Sequence, residues 1–340
     1  MKIEKYNNSL LASFAYLIII IAGLKVSSSL IVPLLMAFFW FLLFLPLVNK
    51  LRSFDIPDIF ITILVFGITL VIVILVGTFF MASSQDLVIN LPKYQEKYHE
   101  MIPKISGFSE RVGISLEKSY VINLFDPIKI INYLAVFLKN MGGIMTDGLL
   151  TLLMVLFLFL ESSLFSKKVH FLTGGGDRQK KVQRFVYDVN LYFLTKTATS
   201  VATGLIVWIM LAFFDLDYAL LFGMLAFLLN YIPNIGSIIA ALPALIMALL
   251  QLTYIDMMII AMGYIIINAI IGNLIEPKIM GESVGLSAFV VFVSMLFWGW
   301  IFGPVGMFLS VPLTIVIKMA SDYSTKWKWV SVVLSDNIKY

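Results

Sequence analysis

The chain has 340 residues, of which 61% are hydrophobic and 13% are charged, with a formal net charge of +4 and a mean hydropathy of +0.99. So few charges cannot cover the surface of a soluble protein of this length, which excludes that class and indicates a chain solvated by lipid. The absence of cysteine excludes disulfides, thiol catalysis and cysteine metal sites. The only two histidines, His99 and His170, lie far apart in the sequence, so we predict neither a metal nor a cofactor.

Charge-free stretches long enough to cross a bilayer follow one another along the chain. A membrane-spanning helix needs about 20 apolar residues. Stretches without Asp, Glu, Lys or Arg lie at 6–24, 26–49, 59–85, 197–214, 218–255, 257–275 and 283–317. The first three predict spans at 9–24, 28–48 and 59–82, within an N-terminal domain at 1–85. The first stretch lacks a small-residue cleavage site and leads into a second span, so it is not predicted to be a signal peptide.

Charges return in residues 86–140, which predict a helical extracytoplasmic segment. Apolar residues spaced by three and four would share one face of its first helix. They are Leu87, Leu91, Tyr94, Tyr98, Met101 and Ile105. This face either packs on the chain itself or the membrane surface, or it contacts another protomer. A second helix is predicted with Asp126 as N-cap, Pro127 at its first position and Gly142 at its end.

Residues 141–195 combine a fourth span at about 144–163 with a basic linker. The motif "TGGGDRQKK" within the linker lacks the spacing of a phosphate loop and predicts a turn before a surface helix. Lys196 follows at the start of the fifth span, where we expect its ammonium group to snorkel towards water.

The distribution of basic residues predicts how the chain is oriented. Basic residues lie near the N-terminus, in the loop at 50–52, in the linker at 167–184 and in the tail at 321–340. The turn at 215–217 has none. The positive-inside rule then predicts cytoplasmic N- and C-termini and an outer position for residues 86–140. The same rule, rather than nucleic-acid binding, explains the pI of about 9.0.

Residues 196–320 contain two interrupted apolar stretches. A pair of Gly/Pro-broken membrane segments is typical of a transporter's binding site, so this region is the predicted transport core. Residues 218–255 and 283–317 are too long for one upright helix at about 1.5 Å per residue. The first is broken at 233–236 and the second at 303–306, so each predicts a helical hairpin, either re-entrant or fully crossing. The predicted fold is an all-α polytopic membrane protein with about six long transmembrane helices, two Gly/Pro-broken helical hairpins, about eight to ten crossings and a small helical extramembrane segment.

Polar and helix-breaking residues at these breaks form the candidate site. Irregular backbone at membrane depth is either buried in protein or lines a wet cavity, and proline frees backbone groups there. The candidates for substrate binding or gating are Asn230, Tyr231, Pro233, Asn234, Gly236, Ser237, Asn268, Asn273, Gly303, Pro304 and Gly306. The alternative is that these residues only cap the hairpin turns.

Three ionisable residues are candidates for coupling transport to an ion gradient, namely Glu276, Lys278 and Glu161. Ionisable groups are costly within membrane segments, and they commonly mark ion or proton paths there. Two alternatives stay open: Glu276 and Lys278 form a salt-bridged turn at headgroup depth, and Glu161 is an ordinary interfacial carboxylate.

Three motifs carry a resemblance to a known family. "LNYIPNIGSIIAALPA" at 229–244, "GNLIEPKIMG" at 272–281 and "VVFVSMLFWGWIFGPVGMFLSVPLTIVIK" at 290–318 together resemble the autoinducer-2 exporter family, and the likeness extends over most of the chain. Many members have His-Pro where this chain has Ser287-Ala288. With the Phe-Trp-Gly-Trp run at 297–300, this departure indicates the subgroup that transports the quorum-sensing signal.

The resemblance implies a function as well as a fold. It implies a bacterial inner-membrane transporter, not an enzyme, that exports autoinducer-2 or a similar small polar solute by an elevator-like mechanism. It also implies a homo-oligomer, with a pentamer as the expected state. Two other classes remain: a Na⁺(cation)/H⁺ antiporter that would use Glu276, and a non-transporting membrane scaffold that would hold partners through residues 86–140.

Overall fold

The structure is a computed structural model that describes residues 2–90, 92–98, 100, 127–146, 148–174, 176–233, 235–280, 285–322 and 327–336. Helices account for nearly all of this part of the chain. They are α1 (Lys2–Val26), α2 (Ser28–Arg52), α3 (Asp58–Ile89), α4 (Pro127–Thr146), α5 (Leu149–Thr173), α6 (Gly176–Phe213), α7 (Ala219–Leu229), α8 (Ile235–Gln251), α9 (Tyr254–Asn268), a π-helix (Ala269–Ile275), α10 (Glu276–Met280), α11 (Ala288–Phe308), α12 (Ser310–Asp322) and α13 (Lys328–Leu334).

Five described helical stretches are long and apolar enough to cross a membrane, namely Ser28–Arg52, Asp58–Ile89, Val182–Phe213, Tyr254–Met280 and Ala288–Phe308. Shorter apolar stretches in the described residues lie at Ala15–Val26, Leu150–Ser162, Ala219–Leu229 and Ile235–Gln251. The all-α polytopic membrane fold is therefore confirmed. The turn that the motif at 173–181 predicts lies at Gly174, and the helix after it, α6, continues without a break into the fifth span.

The chain divides into two compact units. The first comprises residues 1–66, 149–194 and 280–340, and the second comprises residues 67–148 and 195–279. Helices α3 and α6 contribute residues to both units.

A proline within α2 is compensated by a side chain from α6, inside the first unit. Pro46 has no N–H, so it cannot donate to the carbonyl of Leu42 four residues earlier. The carboxamide of Asn190 donates a hydrogen bond to that carbonyl instead. Because lipid offers no donor, a neighbouring helix has to supply one.

The second hairpin, α11–α12, also lies in the first unit. Gly303 has φ 66° and ψ −149°, a conformation that only glycine adopts without strain. Residues 298 and 314 would lie about 24 Å apart in one straight helix. Instead, Trp298 Nε1 donates to Thr314 Oγ1 at 3.1 Å, so the chain folds back on itself. A methyl group added to Gly306 would collide with the Trp298 carbonyl, so this glycine permits the close approach.

Apolar side chains surround the turn of the second hairpin. Trp298, Ile301 and Phe302 pack against residues of α1 and α2. The ammonium of Lys25, at the end of α1, lies 3.7 Å from the centre of the Trp300 ring. The turn is thus held mainly by apolar and cation–π packing.

The second unit has an apolar core that includes part of the predicted extramembrane segment. Leu87, Tyr94 and Tyr98 are buried in this core with α4 and the first hairpin, α7–α8. For these three residues the packing on the chain itself is confirmed. Leu91, Met101, Ile105 and Asp126 lie outside the described residues. The predicted stop at Gly142 was wrong, since α4 continues to Thr146.

Asp217 organises the base of the first hairpin. Its carboxylate accepts hydrogen bonds from Lys93 Nζ at 3.1 Å, from the Tyr94 hydroxyl at 3.0 Å and from the Gln251 amide. Its own N–H donates to Gln251 Oε1 at 2.9 Å. Burial alone would raise the pKa of the Asp217 carboxyl, but the donors outweigh burial and hold the pKa below its ordinary value of 3.8. The ionised carboxylate therefore joins helix 92–98 to both arms of the hairpin.

We predict that Asn190→Leu destabilises the wild-type protein by about 1 kcal/mol, because it leaves the Leu42 carbonyl without a donor. In a Pro46→Ala background the residue 46 N–H can bond that carbonyl, so the same substitution should cost less. Unfolding midpoints of the four proteins in one detergent measure this cycle. Equal costs of Asn190→Leu in both backgrounds would contradict the assigned bond.

A second prediction concerns pH. Since folding lowers the pKa of Asp217, its ionised form stabilises the native state at neutral pH, and this contribution is lost as pH falls below about 4. The difference in melting temperature between wild type and Asp217→Asn should therefore be larger at pH 7 than at pH 3. A difference that is unchanged or grows on acidification would show that the stabilisation by Asp217 does not depend on its negative charge.

Candidate functional site

A stripe of polar side chains lies on α6 in the middle of an apolar span. Thr195, Lys196, Thr199, Ser200 and Thr203 are all buried. Their spacing places Lys196, Thr199, Ser200 and Thr203 on one face of the helix. Thr199 Oγ1 donates to the Lys196 carbonyl at 3.1 Å, and Thr203 Oγ1 donates to the Thr199 carbonyl at 2.9 Å. Both hydroxyl oxygens therefore keep lone pairs that can accept a further hydrogen bond.

Two glycines set the register between α6 and α7. A methyl group on Gly204 would lie 2.7 Å from Phe227 Cβ and 2.8 Å from the Gly223 carbonyl oxygen. One on Gly223 would lie 2.6 Å from Trp208 Cβ. The missing side chains let the two backbones approach closely, as small residues do between membrane helices. The antiparallel register carries the end of α7 to the polar stripe.

The turn of the first hairpin bonds directly to that stripe. Asn230 Nδ2 donates to Ser200 Oγ of the stripe at 3.0 Å, and the Tyr231 hydroxyl donates at 2.8 Å to Oγ1 of Thr197, a half-buried residue of α6 next to the stripe. Asn230 and Tyr231 are both buried. Two predicted site residues are thus placed against α6 by the hairpin turn.

The rest of this turn shows why it needs Gly236. A methyl group on Gly236 would collide with the carbonyl of Leu229, so the glycine is needed for close approach of the two arms. It is not among the described residues of positive φ, so it permits the turn through the space it leaves and not through a left-handed backbone. Pro233 and Ser237 are half-buried beside it. Asn234 lies outside the described residues.

Glu276 reaches the same stripe from α10. A π-helix, Ala269–Ile275, precedes it, and such wide turns often occur at functional sites because they redirect the side chains that follow. The Lys196 ammonium lies 2.7 Å from Glu276 Oε1 and 3.0 Å from Oε2. Thr199 Oγ1 is 3.5 Å from Oε2. The lysine and glutamate side chains are only 7% and 14% exposed, so this is a nearly dry ion pair.

We call Lys196, Thr197, Thr199, Ser200, Asn230, Tyr231 and Glu276 the polar cluster. It offers hydroxyl, amide and paired charged groups within the second unit. The expected snorkelling of Lys196 was wrong, because the ammonium is buried on Glu276. A salt bridge between Glu276 and Lys278 is not found among the described residues, and Lys278 is exposed.

The other predicted site residues lie elsewhere. Asn268 is half-buried and Asn273 is exposed. Glu161 is exposed and pairs with Lys168 on the first unit. The second hairpin, with Gly303, Pro304 and Gly306, also belongs to the first unit, and its surroundings are apolar.

Sequence reasoning missed the α6 contribution to the cluster. The available signal was "TKTATSVAT" at 195–203, which repeats hydroxyl residues at helical spacing directly after a lysine. Because this stretch was interpreted as the start of the fifth span, its hydroxyl residues were not predicted to belong to a site.

The ion pair gives a stability prediction. Lys196→Met leaves a buried carboxylate without its cation, and Glu276→Gln leaves a buried ammonium, so each should cost about 3–5 kcal/mol. The double variant should be more stable than either single variant, as judged by unfolding midpoints in lipid nanodiscs. The exposed Glu161–Lys168 pair is the matched control, and its variants should change stability little. A double variant as unstable as the sum of the single effects would contradict the pairing.

Comparison with known proteins places the chain in a family. A family model described as "AI-2E family transporter" matches residues 14–326. The AI-2 transport protein TqsA of Escherichia coli K12 is 35% identical over 94% of this chain and 93% of that protein. A putative transport protein of Haemophilus influenzae is 34% identical over 96% of both chains. The putative transport protein YhhT of Escherichia coli K12 is 33% identical over 93% of this chain and 91% of that protein.

The family match covers nearly the whole chain, including the polar cluster and both hairpins. Together with the helices long enough to span a membrane, it shows that the chain is a multi-pass membrane protein that belongs to the AI-2E family of transporters.

Proposed function

We propose that the chain exports AI-2 or a similar small neutral polar solute, and that the polar cluster is its solute site. The observation that carries the proposal is the meeting of Asn230 and Tyr231 with the hydroxyl stripe of α6 and the Lys196–Glu276 pair. The relative named as an AI-2 transport protein supports the choice of solute. Hydroxyl and amide groups suit a solute rich in hydroxyls, since each can both donate and accept.

The electrostatics of the cluster favour a neutral solute over a cation. The Glu276 carboxylate already has a tethered counter-cation in the Lys196 ammonium. A sodium ion would have to displace that ammonium from a site where both charges are shielded from water. This argument favours the exporter over the cation/H⁺ antiporter, whose carrier should exchange its counter-ion readily.

Hairpin length supports an elevator-like mechanism. Helix α7 has 11 residues and the part of α11 before Gly303 has 15, which correspond to about 16 and 22 Å, whereas the hydrocarbon core is about 30 Å thick. We infer that both hairpins are re-entrant. Every member of the polar cluster belongs to the second unit, so the cluster can move intact, as a site carried across the membrane must.

The setting of the protein is part of the proposal. The basic residues at both ends support cytoplasmic termini, and the bacterial relatives support an inner-membrane location. We propose a homo-oligomer, with a pentamer as its form, and a transport core at residues 196–320. A scaffold function is less favoured, because helix 92–98 packs and bonds within its own unit.

Flux of labelled AI-2 into sealed proteoliposomes tests the solute assignment. Asn230→Leu keeps the size of the side chain but removes its amide, and we expect at least about a tenfold loss of flux from one missing hydrogen bond in a dry site. Asn132→Leu, at an exposed position of α4, is the matched control and should transport normally.

Melting curves of both variants show whether a loss of flux reflects unfolding. Normal flux in Asn230→Leu would show that the hairpin turn is not part of the solute site. If the wild type shows no AI-2 flux but moves protons in response to sodium in the same vesicles, the assigned function would be cation/H⁺ antiport and not AI-2 export.

A further inference from the structure

The end of the described chain folds back onto the start of the second hairpin. We call residues 327–336 the C-terminal strap. The Ser287 N–H donates to the Leu334 carbonyl and the Asp336 N–H donates to the Gly285 carbonyl, both at 3.3 Å. Leu286 and Ser335 form an antiparallel bridge. These contacts make the strap part of the structure rather than a free tail.

The strap shows an apolar face that the described residues leave open. Within α13, Ser331 is buried, while Trp329, Val332 and Val333 on other faces are exposed. Trp327 is 54% exposed and Trp329 is 62% exposed, and their rings stack with centroids 6.4 Å apart. Two exposed tryptophans beside a lysine, Lys328, are typical of the membrane–water interface rather than of a surface in water.

The length of chain before the strap determines what can cover this face. Helix α12 is the second arm of a membrane hairpin and ends at Asp322, five residues before Trp327. Five residues reach at most about 18 Å. Lys318, one turn before the end of α12, donates to the Gly285 carbonyl and so keeps the strap's attachment point beside that arm. The exposed face therefore lies within about 18 Å of the end of this membrane arm.

We propose that the C-terminal strap is an interfacial anchor. Trp327, Trp329 and Val333 lie in the lipid headgroup region, and the bonds to 285–287 fix the start of α11 at the same depth. The strap thereby sets where the second hairpin begins in the membrane. This proposal concerns the first unit alone and does not depend on the solute.

Site-directed spin labels measure the depth directly, because the chain has no cysteine of its own. A label at Val333→Cys in lipid nanodiscs should collide more often with oxygen than with a water-soluble nickel complex. Val71→Cys, exposed in the middle of α3, gives the lipid reference, and Lys180→Cys, exposed among the charged residues near the start of α6, gives the water reference. A label at 333 that behaves like the one at 180 would overturn the anchor. Shielding from both reagents would also overturn it, in favour of a second protein copy.

Hydrogen exchange tests the strap itself. The variant Trp327→Ser/Trp329→Ser should weaken the hold on the interface, so the Ser287 amide should exchange at least several-fold faster in nanodiscs than in the wild type. Tyr187→Ser, which also removes an exposed aromatic from the first unit, is the control and should leave that amide unchanged. Equal exchange in the double variant and the wild type would show that lipid contact does not stabilise the strap.

Discussion

The arrangement of the second unit depends on one buried ion pair, Lys196 with Glu276. A charge in a membrane segment is costly unless a partner and further hydrogen bonds compensate for it. Here both carboxylate oxygens accept from the lysine and one lies near the Thr199 hydroxyl. The pairing constrains α6 and α10 to one register, since either charge alone would be left unpaired in a dry site.

Close backbone contacts satisfy that constraint. Gly204 and Gly223 let α6 and α7 approach, and the register between them brings Asn230 and Tyr231 to the same part of α6. Met210 lies against Gly263 farther along α6, so α9 is also positioned by a residue without a side chain. Packing among small residues, rather than any hydrophobic difference from lipid, thus assembles the polar cluster.

The two hairpins share one close backbone contact, but their turns have different surroundings. In each, a glycine sits directly against a backbone carbonyl from the other side of the break: Gly236 against Leu229, and Gly306 against Trp298. The first turn bonds to a polar stripe, whereas the second packs against apolar residues of α1 and α2. The same glycine–carbonyl contact therefore closes a turn beside polar residues in one unit and a turn beside apolar residues in the other.

The sequence predicted what depends on local composition. Charge-free runs identified the membrane class, and Pro and Gly located both hairpin breaks at the residues where the structure turns. It did not predict that Lys196 is buried on Glu276, because a pairing across some 80 residues leaves no periodic signal. The π-helix before Glu276 was not predicted either, because no amino-acid composition distinguishes it from the α-helix that precedes it. The continuation of the linker helix into the fifth span was not predicted, because its charged residues lie mostly in the first half of α6.

Exchanging the two charges tests the central claim most directly. Lys196→Glu and Glu276→Lys each place two like charges together, and each should abolish AI-2 flux in proteoliposomes. Combining them restores an opposite pair, so the double exchange should recover a substantial part of the flux if the pair maintains a neutral, ordered site. A double exchange that folds, as shown by a wild-type melting temperature, but stays inactive would contradict this account. The carboxylate would then be needed at position 276 itself, as in a proton or cation carrier.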